Sequence, residues 1–170
     1  MLLTITKIQD EATNFRKLIE NCDKKNTSLI LDCFPIMSCK LSSMLLSYHF
    51  LNLWPELLIK GVSAATGKDD HISHFWLEKD DIVIDITGDQ YNIINDKELN
   101  NKIVNSRPFP AVHVACKKES YLYKIFKNRE EEYLVSGFPT IKESFIEKMR
   151  RGYNQLLNNE NIENNSHQIK

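Results

Sequence analysis

Apolar residues recur at helical intervals in three stretches of the chain and alternate with polar ones in several others. Ile8, Ala12, Phe15, Leu18, Ile19 and Cys22 share one stripe, which predicts a helix over about residues 7 to 22, ended by the polar run CDKKNT. Phe34-Pro35 enforces extended backbone, and Ser38 can then cap a helix carrying Leu41, Met44, Leu45, Tyr48 and Leu51 on one stripe. Leu57 to Ala65 reads as a strand. Ser73 to Glu78 and Ile82 to Thr87 read as two more, joined through Lys79, Asp80 and Asp81 as a hairpin. Val112 to Cys116 adds a further strand, while the mixed charges from Lys124 to Glu132 read as a solvated helix face. Ile141, Phe145, Ile146, Met149, Tyr153, Leu156 and Leu157 predict a C-terminal docking helix. From Asn158 to Lys170 the apolar signal is gone, and a disordered polar tail is expected. The pattern gives one α+β domain over residues 1–157, with N-terminal helices packed on a small antiparallel sheet.

Composition narrows the function classes. The chain has 170 residues, 42% apolar and 26% charged, the profile of one soluble globular domain. A net charge of -1 supplies no basic field for phosphates, so nucleic acid is not an expected partner. The longest weakly charged stretch, Leu41 to Ile59, contains His49, Pro55 and Glu56, and no membrane association is expected. The start MLLTITKIQDE lacks the apolar block and cleavage site of a signal peptide, so a cytoplasmic location is expected. The four cysteines form no CxxC pair, which argues against a zinc knuckle or a disulfide scaffold. His71 and His74 stand three apart, and on a strand that spacing points them to opposite faces, so no metal site is expected. No cofactor motif is recognisable.

The chemistry-bearing residues meet at the hairpin. Strand alternation puts His74, Trp76 and Glu78 on one face with Val83, Asp85 and Thr87, while Phe75, Leu77, Ile82, Ile84 and Ile86 share the apolar face. A two-residue loop of Lys79 and Asp80 would place His74 directly opposite Asp85, with Cβ atoms about 4.5–5.5 Å apart. A register shifted by two residues would leave them as diagonal neighbours. Cys39 falls in the first turn of a helix, where unpaired N–H groups favour thiolate over thiol. Its backbone N–H can hold an oxyanion, and the small Ser42 and Ser43 let the helix approach the sheet. A Cys, His and Asp so placed supply a nucleophile, its base and the base's orienter. Gln90, just past the second strand, is a candidate for substrate positioning or oxyanion donation. Trp76 is a second substrate-contact candidate, if it does not simply cover the sheet. Cys22, Cys33 and Cys116 lie in apolar surroundings and read as packed rather than reactive, and His49 and His113 read as structural or exposed.

These residues resemble a known family. Phe34-Pro35-Ile36-Met37-Ser38-Cys39, the Leu-rich helix, Gly61, the strand His74-Phe75-Trp76-Leu77-Glu78 and Asp85-Ile86-Thr87 are similar to the core of the transglutaminase-like branch of the papain-like cysteine superfamily, as in small bacterial papain-fold domains. The resemblance spans about residues 33 to 91. It implies a papain-like fold in which Cys39 is the nucleophile, His74 the base and Asp85 its orienter. Glycine is common two residues before such a cysteine, where this chain has Met37, and no upstream glutamine stands at a papain-like spacing, position 33 being Cys33. The implied activity is thiol-dependent acyl transfer or hydrolysis on a carboxamide or peptide bond, as in a protease, amidase or deamidase, with a protein or peptide as substrate. Two alternatives accompany it: a catalytically inactive papain-fold binding module, and an acyltransferase using a thioester donor. Reaction class follows from the resemblance; substrate identity and oligomeric state do not.

Overall fold

The computed structural model describes the backbone of residues 3–167 and the side chains of residues 3–159. Helix α1 (Ile5–Asn21) begins at Thr4, whose hydroxyl accepts from the Lys7 N–H at 3.2 Å. After a turn-rich connection, α2 (Cys39–Leu53) leads into β1 (Ile59–Thr66), β2 (Ile72–Lys79) and β3 (Ile82–Asp85). The short helix α3 (Asn101–Val104) precedes β4 (His113–Cys116), α4 (Tyr121–Ile125) and β5 (Lys127–Leu134), and α5 (Glu143–His167) closes the chain. The fold is α+β, with a five-stranded antiparallel sheet in the order β4-β3-β2-β1-β5.

The sheet is covered on both faces. One core joins Ile8, Phe15, Leu45, Phe50 and Met149 of the long helices to Phe75, Leu77, Ile84 and Ile86, the apolar face that strand alternation predicts. Large side chains buried this fully stabilise by about 1.5–3 kcal/mol each relative to exposure. The second core packs Val62, Trp76 and Val83 under Tyr91, Phe109, Leu122 and Phe126, drawn from the turns and short helices after β3. His74 and Asp85 lie on this second face, beneath an aromatic cover that includes Tyr91 and Phe126 at ring-centroid distances of 5.3 and 5.8 Å from a neighbour in the cluster.

Four expectations need correction. Lys79 pairs with Ile82, so the hairpin loop is Asp80-Asp81 rather than Lys79-Asp80. Asp80 adopts a left-handed φ of 53°, a conformation that Asp tolerates better than Lys because its short side chain bonds locally. Continuing that register places Asp85 across from Trp76, and His74 is its diagonal neighbour. The second correction concerns residues 127–134, expected as a helix face, which form edge strand β5. Its exposed Lys127, Glu130 and Glu131 suit a free edge, since charge discourages pairing with another chain. Third, the terminal helix runs through His167 instead of ending before Asn158; the segment holds no Gly or Pro, and extending an existing helix costs little. Residues 168–170 lie outside the described residues. Fourth, Cys33 and Cys116 are exposed, one in a turn and the other at the end of an edge strand, whereas Cys22 is buried as expected.

One buried cation ties the long-helix layer to the segment after β3. Arg16 of α1 is 5% exposed and forms a two-pronged ion pair with Asp89 at 2.9 and 2.8 Å. It also donates to the Ile86 carbonyl at 2.6 Å and stacks 4.5 Å above the Phe34 ring. The same guanidinium therefore touches the loop leading to Cys39 and the turn following Asp85. Burial pushes its pKa down, but Asp89 and Glu20 outweigh that and hold it above the ordinary arginine value. Replacing Arg16 by Ala leaves Asp89 unpaired and is expected to cost about 3–5 kcal/mol. Chemical denaturation of R16A checks this, and a loss below 1 kcal/mol would show that water replaces the guanidinium there.

Candidate functional site

The site exists because β3 stops early. Pairing between β2 and β3 runs from Lys79 with Ile82 to Leu77 with Ile84, so the Ile72 to Phe75 part of β2 has a free edge on that side. The start of α2 fills the gap. Ser43 donates to the Phe75 carbonyl at 3.5 Å, and the Phe75 N–H bonds the Cys39 sulfur. Ser42 and Ser43 are both buried there, as the close approach requires.

Cys39 is the first residue of α2, with Ser38 at the N-cap. The Ser38 side chain does not cap the helix; it donates to the Ile36 carbonyl at 3.1 Å and shapes the turn before the thiol. Helical bonding begins with the Ser42 N–H to the Ser38 carbonyl at 2.9 Å, so the Cys39 N–H lies ahead of the ladder. Met37 reaches the turn with a φ of 56°, the left-handed conformation that glycine adopts freely, and its side chain is 78% exposed. Backbone geometry there is thus glycine-like although the residue is not.

His74 and Asp85 are buried at 1% and 0% exposure and joined by a 2.8 Å bond from His74 Nε2 to Asp85 Oδ2. A carboxylate only accepts, so this bond assigns the proton to Nε2, and the same imidazole lies within hydrogen-bonding reach of Cys39. Asp85 Oδ2 also accepts from the Tyr121 hydroxyl at 2.8 Å. Its Oδ1 accepts from the Thr87 N–H at 3.0 Å and the Thr87 hydroxyl at 3.1 Å. Around Nδ1 stand the Tyr91 hydroxyl at 3.2 Å and the Gln90 side-chain amide at 3.4 Å. Gln90 is buried, and its amide donates to the Thr87 carbonyl at 3.0 Å.

These contacts set the protonation states. Burial opposes charge on Asp85, but His74, Thr87 and Tyr121 hold its carboxyl below the usual range. Burial likewise pushes His74 down, yet Asp85 and Cys39 outweigh it and raise the imidazole to about 10. Burial pushes the Cys39 thiol up, while the His74 imidazole and the Phe75 N–H bring it below the ordinary cysteine value. The directions all favour one arrangement, a thiolate beside an imidazolium with a carboxylate behind it. The pair is coupled, so each charge depends on the other.

Of the residues singled out from sequence, Cys39, His74 and Asp85 converge, and Gln90 borders the imidazole. Trp76 does not reach solvent. It is fully buried, its indole N–H donates to Glu78 at 2.9 Å, and it stacks behind His74 at a ring distance of 6.3 Å. Glu78 is held in turn by the Tyr123 hydroxyl at 2.6 Å and Lys117 at 2.7 Å, which makes this a supporting network away from the thiol. Asp89 is engaged by Arg16. His49 bridges helices through Tyr153 and Glu11, each at 3.2 Å. Sequence reasoning missed Tyr91, which reaches the site from the turn after β3, and Tyr121, which reaches it from the short helix α4, because no periodicity fixes the path of either. Thr87 carried a signal, since a hydroxyl two residues after an Asp is a recurring local hydrogen-bonding pattern. Among the described residues, no cluster of three His, Cys, Asp or Glu side chains could hold a metal ion. No family model matches the chain, and no curated protein or solved structure similar to it was found.

The strain at Met37 is open to test. A non-glycine residue in left-handed backbone costs about 1–2 kcal/mol, against a smaller entropic gain for the unfolded chain when glycine replaces it. Met37→Gly is expected to raise Tm by about 1–3 °C and leave Cys39 alkylation unaltered. A lower Tm would show that the exposed Met37 side chain makes a stabilising contact.

Proposed function

We propose that the chain is a thiol-dependent acyl-transfer enzyme acting on a carboxamide or peptide bond, with a papain-like core of transglutaminase-like type. The observation that carries this reading is the His74 imidazole, bonded through Nε2 to a buried carboxylate and within hydrogen-bonding reach of a thiol at a helix start. A core histidine needs only a satisfied proton. Here the same ring is charged by Asp85 and shares its charge with a half-buried cysteine, an arrangement that gives a nucleophile and a proton donor at one point.

In the reaction, the Cys39 thiolate attacks the carbonyl carbon, and the oxyanion that forms lies against the Cys39 N–H. His74 gives its Nδ1 proton to the departing amine or ammonia, the carbon–nitrogen bond breaks, and a thioester remains on Cys39. Neutral His74 then takes a proton from water or an incoming amine as it attacks the thioester, releasing acid or new amide and restoring the ion pair. Asp85 stays ionised throughout, holding the Nε2 proton and stabilising the imidazolium. Gln90, at the imidazole edge, is the residue placed to position a carboxamide. The reading sets a protein or peptide as the substrate class and requires no cofactor.

Iodoacetamide labelling of all four cysteines, followed by mass spectrometry across pH, tests the reading. Below pH 8, Cys39 is expected to label faster than Cys33 and Cys116 although both are more exposed, because the lowered thiol keeps its thiolate there. As pH rises through about 10 and His74 loses its proton, the Cys39 advantage shrinks, since exposed thiols ionise as well. His74→Asn is expected to move the Cys39 acid limb upward toward the free-cysteine value of about 8.5. Asp85→Asn is expected to move it in the same direction by a smaller amount. A Cys39 that titrates like an ordinary thiol in the unaltered protein would end the catalytic reading.

A further inference from the structure

Asp85 carries more hydrogen bonds than an orienting carboxylate needs, and one of them is matched to a glycine. The Tyr121 hydroxyl and His74 Nε2 meet the same oxygen, Oδ2, at 2.8 Å each. Tyr121 starts α4, fixed by Ser120 at the N-cap, whose hydroxyl lies 3.2 Å from the Leu122 N–H and 2.8 Å from His113 Nε2. Its ring lies 4.6 Å from His113 and 4.8 Å from Phe109 by centroids. At Gly88, a Cβ atom would stand 2.0 Å from the Tyr121 hydroxyl and 2.9 Å from Asp85 Oδ2. Any other residue at position 88 would push one of these two groups aside. Gly88 is buried and has no positive φ to explain it, so the space itself is what the glycine supplies.

We infer that Tyr121 is a positioning residue, fixing the Asp85 carboxylate toward His74 through the gap left by Gly88. The inference rests on the proposed role of Asp85 as orienter. With Thr87 on Oδ1 and Tyr121 on Oδ2, the carboxylate plane cannot turn without breaking a bond. The hydroxyl has a second effect. Its proton lies beside the imidazole N–H and draws charge from the shared oxygen, so less of the carboxylate's field falls on His74. A general acid works best with a proton affinity near the operating pH. Tyr121 thus restrains a histidine that Asp85 alone would hold too tightly protonated. The other titratable groups facing this pair are Cys39 from α2, Tyr91 from the turn after β3 and His113 from β4, with Asp89 beyond Tyr121.

Tyr121→Phe keeps the ring and removes only the hydroxyl. NMR titration of ring-labelled histidine reads the consequence, with the His74 signal among five histidines assigned by its loss in His74→Asn. The His74 midpoint is expected to rise by roughly one pH unit in Tyr121→Phe, the size of one hydrogen bond to a charged group. Gly88→Ala, which displaces the hydroxyl, should move it in the same direction. In the Gly88→Ala/Tyr121→Phe double variant the two shifts should not add, because both remove one interaction. A folded Tyr121→Phe protein whose His74 midpoint stays still or falls overturns the inference, whatever happens to its Tm. The cysteine-labelling profile separates this from the parent reading: if Cys39 ignores His74→Asn, the thiol mechanism fails, while the titration still decides whether Tyr121 governs the His74–Asp85 pair.

Discussion

A carboxylate with no exposed surface must be answered bond for bond, and the second core is arranged around that demand. Asp85 takes donors from its own turn, from the neighbouring strand and from α4, four in all. Leaving even one lone pair of a buried charge unmatched costs more than a typical hydrogen bond contributes, so these donors are not interchangeable extras. The turn at Thr87, the start of α4 at Tyr121 and the glycine between them are consequences of one buried charge. His74 is then fixed as well, since its Nε2 has only one place to put its proton.

The second constraint is the early end of β3. Had that strand continued, its backbone would have paired with residues 72–75 and closed the edge that α2 now approaches. Its stop at Asp85 frees the Phe75 N–H and carbonyl for Cys39 and Ser43 of α2, a helix that packs on the sheet face opposite His74. A helix on one face and a histidine on the other can therefore meet at an edge. Arg16 reinforces the meeting point by holding the chain on both sides of it, at Phe34 before the thiol and at Ile86 and Asp89 after the carboxylate.

The parts that period alone determines were legible in the residues: α1, α2, the hairpin, and the division of Phe75, Leu77, Ile84 and Ile86 from His74 and Asp85. The register was not, because Lys79-Asp80 and Asp80-Asp81 are equally polar loops, and only backbone strain at the first loop position separates them. The tail and β5 misled for a shared reason. Charged, asparagine-rich sequence tells how a segment meets water, not whether it hangs on a strand edge or extends a helix already formed. Tyr91 and Tyr121 were invisible since each arrives from a turn or a one-turn helix whose direction depends on tertiary contacts.

An ion pair this deep is poor evidence of a device for stability. Desolvating both charges cancels much of their attraction, and apolar side chains of the same volume often serve a core equally well. Trp76 and Phe126, stacked near His74, show that this face has such side chains at hand. The pair is therefore better explained by what the imidazole touches next. The imidazole lies within hydrogen-bonding reach of a thiol that the helix start and the Phe75 N–H favour as an anion, and on the proposed reading the charge that costs stability in the core is a proton held ready at a nucleophilic sulfur.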